Sequence, residues 1–169
     1  GHSWSGTAHA SSSSRTIGLF QYPASYSSSS GTFSAWVHAA NVSQTWAMLI
    51  SDVTAGIAIY CSGSTINVSR KDTEVVTSAA IGVTALTWHL ITVTWSGRVA
   101  KIYYDGTLIN AGAATGDFAV AAAWYVGKYN SGGTFPMNGL MDDAFVSTSV
   151  LSDDEVRAIY LSNAPVAIN

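Results

Sequence analysis

Ten carboxylates and four histidines are the groups in this 169-residue sequence that could carry acid–base or metal chemistry. Their spacing argues against a reaction centre. Hydrolysis of a glycosidic bond needs two placed carboxylates, one an acid and the other a base or nucleophile. The nearest approach to such a pair, Asp72-Thr73-Glu74, sits beside Arg70-Lys71 and reads as a solvated mixed-charge turn. Asp142 and Asp143 are adjacent, so on a strand they point to opposite faces and only one could enter a given cleft. His2, His9, His38 and His89 lack the His-x-x-x-His type of spacing that suits zinc. His89 follows Trp88 in a strand-like stretch and is expected to make a structural hydrogen bond. Gly132-Gly133 opens no helix, so it reads as a turn and not as a phosphate cradle. Cys61 closes the apolar run Gly56-Ile57-Ala58-Ile59-Tyr60-Cys61 with no base beside it, which fits a small core residue. The sequence is therefore not expected to encode an enzyme.

Binding chemistry is better supplied. Sugars are held by aromatic faces against their C–H surfaces, with amides, hydroxyls and carboxylates taking the sugar hydroxyls. The chain has 6 Trp, 8 Tyr and 5 Phe, most of which should be core because large aromatics dominate buried area. The segment Tyr129-Asn130-Ser131-Gly132-Gly133-Thr134-Phe135 joins aromatic, amide and hydroxyl groups in one loop. Tyr129, Asn130, Thr134 and Phe135 are its candidate ligand contacts. Trp46, Asp52 and Tyr60, on or beside central strands, are further candidates for lining a concave face. The same aromatic patch would also serve a protein interface.

Composition removes other classes. Only 10% of residues are charged, and the net charge is −3 with 7 Lys+Arg. So few scattered cations cannot form the basic patch that nucleic acid requires. No apolar run reaches membrane-spanning length, so membrane insertion is not expected. A single Cys excludes an internal disulfide. Asn41-Val42-Ser43 and Asn67-Val68-Ser69 are glycosylation sequons, relevant only in a secretory context.

The elements that must position these groups read as short strands. Candidates are 15–20, 33–38, 46–50, 56–61, 65–69, 74–77, 88–95, 99–104, 107–109, 123–127 and 144–147. Ser96-Gly97 reads as a tight turn, and Asp105-Gly106 predicts a type I′ hairpin, whose central residues both need φ > 0. Serine runs at 11–14 and 27–30 mark loops in a weakly patterned N-terminal stretch, 1–30. Ser152-Asp153-Asp154-Glu155 is a capping box opening one short helix, with Val156, Ile159 and Tyr160 on one face. One domain over 1–169 is expected, an all-β antiparallel two-sheet sandwich with that C-terminal helix.

Several pieces, in order, resemble the laminin-G-like jelly-roll family within the concanavalin A-like lectin and glucanase group. They are Phe33-Ser34-Ala35-Trp36-Val37, then Trp88 to Trp95, and then Ile102-Tyr103-Tyr104-Asp105-Gly106. Tyr125-Val126-Gly127, Gly139-Leu140-Met141-Asp142-Asp143 and Leu151 to Tyr160 follow. The resemblance implies a concanavalin A-like jelly roll, one sheet concave, with loops gathered at the rim. Glucanases of the group carry their carboxylates along one strand as Glu-x-Asp-x-Glu, and this sequence has no such run. Some relatives hold a structural calcium with the Asp that corresponds to Asp142, which makes Asp142 the candidate metal ligand. The alternative is a turn Asp bonding backbone amides.

Fold alone does not fix function. The expected function is a noncatalytic lectin-like module with a glycan or protein partner, in an extracellular, cell-surface or virion setting. One alternative is a structural assembly domain packing on copies of itself within a larger particle, favoured by a charge-poor surface and the Ala-rich segment Ala111 to Ala123. The other is an accessory domain of a polysaccharide-degrading enzyme.

Overall fold

A computed structural model describes residues 8–10, 19–21, 28–40, 47–52, 56–71, 74–81, 86–120, 123–129 and 135–163. The described residues form two six-stranded antiparallel sheets. The first sheet runs in the order β1 (Ala8–Ala10), β12 (Gly139–Ser147), β3 (Ser30–Ala39), β8 (Trp88–Ser96), β9 (Val99–Tyr104), β10 (Thr107–Ala113). The second runs β2 (Leu19–Gln21), β11 (Ala123–Val126), β4 (Ala47–Asp52), β5 (Ala58–Ser62), β6 (Thr65–Arg70), β7 (Glu74–Ala80). One helix, α1 (Asp153–Asn163), follows β12.

Hairpin chemistry fixes local register. Asp105 and Gly106 have φ 49° and 74°, so the β9–β10 connection is the type I′ turn the sequence predicts. Gly63 and Gly97 open the two-residue loops of β5–β6 and β8–β9 with φ 59° and 57°. The capping box is also formed: the Ser152 amide donates to Glu155 Oε2 at 2.8 Å, and the Glu155 amide donates to Ser152 Oγ at 3.3 Å.

Alternating residues of the two sheets meet in one core. Phe33, Val93, Ile102 and Met141 come from the first sheet, and Leu49, Ile59, Ile66 and Val68 from the second. Trp95 and Trp124 face each other across the layers with ring centroids 6.0 Å apart. A β-carbon at Gly31 would lie 2.5 Å from both the Trp95 ring and the Ser147 carbonyl oxygen, so only glycine admits that tryptophan. Cys61 packs against the same core, as its apolar run predicts.

The sandwich is closed along the β7–β10 side. Glu74 accepts from the Thr115 amide at 2.6 Å and from Arg70 at 3.2 Å, while Arg70 Nε donates to the Asp117 carbonyl at 2.8 Å. The Asn110 amide reaches the Ser78 carbonyl beside it. The cluster read from sequence as a solvated turn keeps an exposed turn at Lys71 and also ties β6 and β7 to the segment after β10. Asp72 and Thr73 lie outside the described residues.

The outward face of the first sheet is covered. Thr32 Oγ1 donates to the Ser149 carbonyl at 2.8 Å and accepts from the Leu151 amide at 3.0 Å, drawing the chain after β12 across it. The helix then lies on Trp36, whose ring is 5.9 Å from that of Tyr160, and Tyr103 Oη donates to Asp153 at 2.7 Å. Val156 is wholly buried there.

Candidate ligand face on the second sheet

With one outward face taken by the helix, the opposite face of the sandwich remains. Its central residues are buried, Ser51, Met48, Ala58, Tyr60 and Ser69 at 0–3% exposure, so a ligand would meet its rim. Register defines its rows. Tyr125 pairs with Ser51, Ser51 with Ala58, and Ala58 with Ser69, so these four side chains share a face. Met48, Tyr60, Asn67 and Ser78 form the next row. Met48, Ala58 and Tyr60 make a small apolar cluster separate from the main core, and Tyr129 packs on it. Burial raises the Tyr60 phenol above its ordinary value, so it stays a neutral donor and acceptor.

The chain beyond β11 is pinned onto this face at both ends. The Gly127 amide donates to the Leu49 carbonyl at 2.8 Å, and Ser51 Oγ donates to the Tyr129 carbonyl at 2.7 Å. Further on, the Met48 amide donates to the Phe135 carbonyl at 3.1 Å. These bonds bring the Tyr129 and Phe135 rings together edge to face, centroids 6.1 Å apart. Phe135, at φ 52°, is 46% exposed. Lys128 stands with its ammonium 5.3 Å from the centroid of the Tyr125 ring. Nothing in the sequence reading singled out Lys128 or Tyr125. Pairing with Ser51 places Tyr125 here, and the contact of the Lys128 carbonyl with Ser51 Oγ places Lys128.

The sequence candidates therefore divide. Tyr60, Tyr129 and Phe135 gather on this face. Trp46, Asn130 and Thr134 lie outside the described residues. Asp52 does not join them. It pairs with Trp124, is 2% exposed, and its Oδ1 accepts from the Gly56 amide at 2.5 Å, so it buttresses the turn between β4 and β5. Alternation along β4 puts Asp52 on the side opposite Ser51.

Asp142 lies on the far sheet, paired with Trp36, and its Oδ1 accepts from the Asp143 amide at 2.9 Å. Asp143 sits at φ 47° in a bulge that interrupts the pairing between Asp142 and Phe145. The simple alternation expected of the two carboxylates is lost at that bulge. Among the described residues no three His, Cys, Asp or Glu side chains converge into a metal-ligating group.

One polar chain resembles a hydrolytic relay in connectivity. His89 Nδ1 is 2.9 Å from Asp105 Oδ2, and His89 Nε2 is 3.0 Å from Thr87 Oγ1. Asp105 is also bound twice to Leu90: its Oδ1 accepts the Leu90 amide, and its own amide donates to the Leu90 carbonyl, both at 2.9 Å. The imidazole stacks on Tyr104 with centroids 4.7 Å apart. We assign these groups to a clip that locks the Asp105-Gly106 turn onto β8, the structural hydrogen bond expected of His89.

Comparison with known proteins agrees with this architecture. The family model described as the concanavalin A-like lectin/glucanases superfamily (Laminin_G_3) matches residues 11–157. No curated protein sequence matches the chain. Among solved structures, the botulinum neurotoxin serotype D ligand-binding domain in complex with N-acetylneuraminic acid superposes with a TM-score of 0.67 at 12% identity, covering 86% of this chain and 39% of that one. The Ruminococcus gnavus IT-sialidase CBM40 bound to α2,3-sialyllactose gives 0.62 at 16% identity, covering 78% of this chain and 82% of that one. The botulinum neurotoxin type G receptor-binding domain gives 0.60 at 15% identity, covering 85% and 41%. The chain thus spans about two fifths of the botulinum domains it matches. At these identities the likeness is one of fold. With the family model matching most of its length, the chain belongs to the concanavalin A-like lectin/glucanase superfamily as a laminin-G-type jelly roll.

Proposed function

We propose that this chain is a noncatalytic glycan-binding module that holds its ligand at the rim of the second sheet, against the exposed Phe135 ring. The observation that carries the reading is the Tyr129–Phe135 pair, in which Phe135 is 46% exposed. An exposed aromatic ring suits the apolar C–H surface of a sugar. Two neighbours in fold are complexes with N-acetylneuraminic acid and α2,3-sialyllactose, which supports a glycan as the partner class. The setting proposed is extracellular, on a cell surface or on a virion, where the domain would serve adhesion or accompany a polysaccharide-degrading enzyme. Glycan-array screening followed by titration tests the reading. Binding should weaken about tenfold or more in Phe135→Ala, in line with the loss of a well-packed aromatic contact. Absence of binding to every neutral and acidic glycan, with and without calcium, sinks it.

Calcium at Asp142 belongs to the same reading as a proposal, with a separate test given below. A second reading, assembly with copies of itself, is favoured by β10. Every residue of this edge strand except Gly112 is exposed, Leu108 and Ile109 included. Because β7 lies along its backbone edge, the contact would be made through these exposed side chains. A strict monomer by native mass spectrometry and light scattering at high concentration argues against it.

A further inference from the structure

Among the described residues, five that are not glycine have positive φ, and two of the five are bulky and apolar: Leu86 at φ 66° and Phe135 at φ 52°. The others are Lys71, Asp105 and Asp143. Asp tolerates the left-handed region through its short polar side chain, but a large aliphatic or aromatic residue is disfavoured there. Strain of this kind persists only where the surrounding structure imposes it, and it gathers at ligand sites. Both residues also keep their side chains in water. Leu86 is 67% exposed, the highest value among the exposed large apolar residues described, and Phe135 is 46% exposed. The backbone at Leu86 favours Gly or Asn, and Leu86 belongs to neither apolar core cluster.

Backbone hydrogen bonds bring the two residues to one end of the sandwich. The Leu86 amide donates to the Ala39 carbonyl at 2.9 Å, at the end of β3. The Ala40 amide donates to the Asn138 carbonyl at 2.9 Å, and Gly139 pairs with Ala39. Earlier in the same connection, the Phe135 carbonyl accepts from the Met48 amide at the start of β4. Leu86 thus stands at the rim of the first sheet and Phe135 at that of the second. Neighbouring strands about 5 Å apart, and a reach of at most about 3.6 Å per residue, keep their Cα atoms within about 25 Å. Just beyond Leu86, the Trp88 ring lies 5.2 Å from that of His38, its partner across β8 and β3, and both are partly exposed. The connections at these strand ends are uncharged: residues 40–46, 81–87 and 129–138 contain no Asp, Glu, Lys or Arg, and they carry Asn, Gln, Ser and Thr. Asp105, at the same end, is engaged by His89 and Leu90, and Lys128 is only 9% exposed.

We propose that this rim is an extended site for an uncharged oligosaccharide, with Phe135 and Leu86 as its two apolar anchors and Trp88 beside the second. The inference rests on the glycan-binding reading at Phe135 and adds the length and charge of the ligand to it. A sugar chain offers apolar C–H faces at intervals among many hydroxyls, which matches apolar anchors on connections rich in amide and hydroxyl groups. A charged ligand would find no counter-charge in these connections. A protein partner fits less well, because stable interfaces bury about 800 Å² per partner around clustered hot spots, and two anchors on separate connections fall short of that. Anchors held by the backbone before the ligand arrives lower the ordering cost of binding.

The experiment titrates neutral gluco-, manno-, xylo- and galacto-oligosaccharides of rising length, from monosaccharide to hexasaccharide, with oligogalacturonates as the acidic series. Affinity for a bound neutral series should rise about tenfold or more with length, as the chain reaches the second anchor. In Leu86→Asn that gain should disappear, while the shortest bound member keeps near wild-type affinity. The thermal midpoint of Leu86→Asn should hold or rise, because Asn tolerates φ 66°. Leu86→Gly, equally compatible with that backbone, should lose the same gain, and Leu86→Met, which keeps an apolar side chain, should retain it. No gain with length, or an unchanged gain in Leu86→Asn and Leu86→Gly, overturns the extended site and leaves the glycan reading standing. Tighter binding of the oligogalacturonates overturns the choice of an uncharged chain. No binding to any member overturns both the extended site and the glycan reading.

Discussion

His89 and Asp105 meet side chain to side chain at 2.9 Å, joining the start of β8 to the turn that ends β9. The contact is one part of a three-bond clip, because Asp105 also exchanges two hydrogen bonds with Leu90. Asp suits the position twice over. Its short side chain tolerates φ 49°, and its carboxylate reaches back to the neighbouring strand. Asp105→Ala should therefore destabilise the domain by about 1–3 kcal/mol, since it strips partners from the Leu90 amide and the His89 imidazole while keeping an unfavourable φ. Asp105→Asn should cost less, because an amide oxygen can still accept from Leu90. Urea unfolding of the two variants checks the order. Equal loss in both would assign the effect to charge alone.

This clip shows how far the sequence was readable. Asp105-Gly106 announced its turn because the backbone demands φ > 0 at both centres, a local rule. His89 was expected to bond to something, but its partner lies 16 residues away and only strand pairing names it. The same limit governs the candidate site. Tyr129 and Phe135 were legible as a loop with two aromatics. The approach of Lys128 to the Tyr125 ring was not, because only the return of the chain over β4 brings the two together. Asp52 was misplaced for a related reason: Ser51 and Asp52 are adjacent, and alternation sends one to the ligand face and the other to a turn. β1 escaped notice because a three-residue strand in a serine-rich stretch has too little alternation to register.

The Glu74 clasp makes stability sensitive to acid. The Thr115 amide, together with Arg70, holds the Glu74 carboxyl below its ordinary value. The unfolded chain then takes up the proton at a higher pH than the folded protein. The contribution of Glu74 is fully present above the ordinary glutamate value and fades as pH falls through the lowered one. Asp153, lowered by Tyr103 and Lys101, and Glu155, lowered by the Ser152 amide, act in the same direction. The melting temperature should fall as pH drops below the ordinary glutamate value, and Glu74→Gln should show a shallower fall than the wild type. Parallel curves for the two proteins would remove Glu74 from the acid transition.

Cys61 should be inert while the protein is folded. Burial against the core pushes its thiol up to about 12, so the thiolate is scarcer than in a free cysteine by about three powers of ten. At about pH 8 a disulfide reagent should label the native protein slowly and the guanidinium-unfolded protein at once. Native labelling at the unfolded rate would show that β5 opens readily at that point, contrary to its pairing with β6 through Ile66.

Asp142 gives a separable test of calcium. Calcium takes about six to eight oxygen ligands, and extracellular modules bind it with Kd of about 10⁻⁴–10⁻³ M when few carboxylates contribute. Asp142 has one oxygen engaged by the Asp143 amide, and Asp143 is itself exposed in the bulge, so the two carboxylates and nearby carbonyls would have to suffice. A bound ion should then raise the melting temperature at millimolar calcium, with about 1.4 kcal/mol gained at tenfold excess over Kd. Asp142→Asn can still accept the Asp143 amide, so it should melt like the wild type without calcium and lose the calcium-dependent rise. EDTA should reverse the rise in the wild type. If calcium leaves both proteins unchanged, Asp142 serves only the bulge, orienting Asp143 and the chain that leads on to the helix.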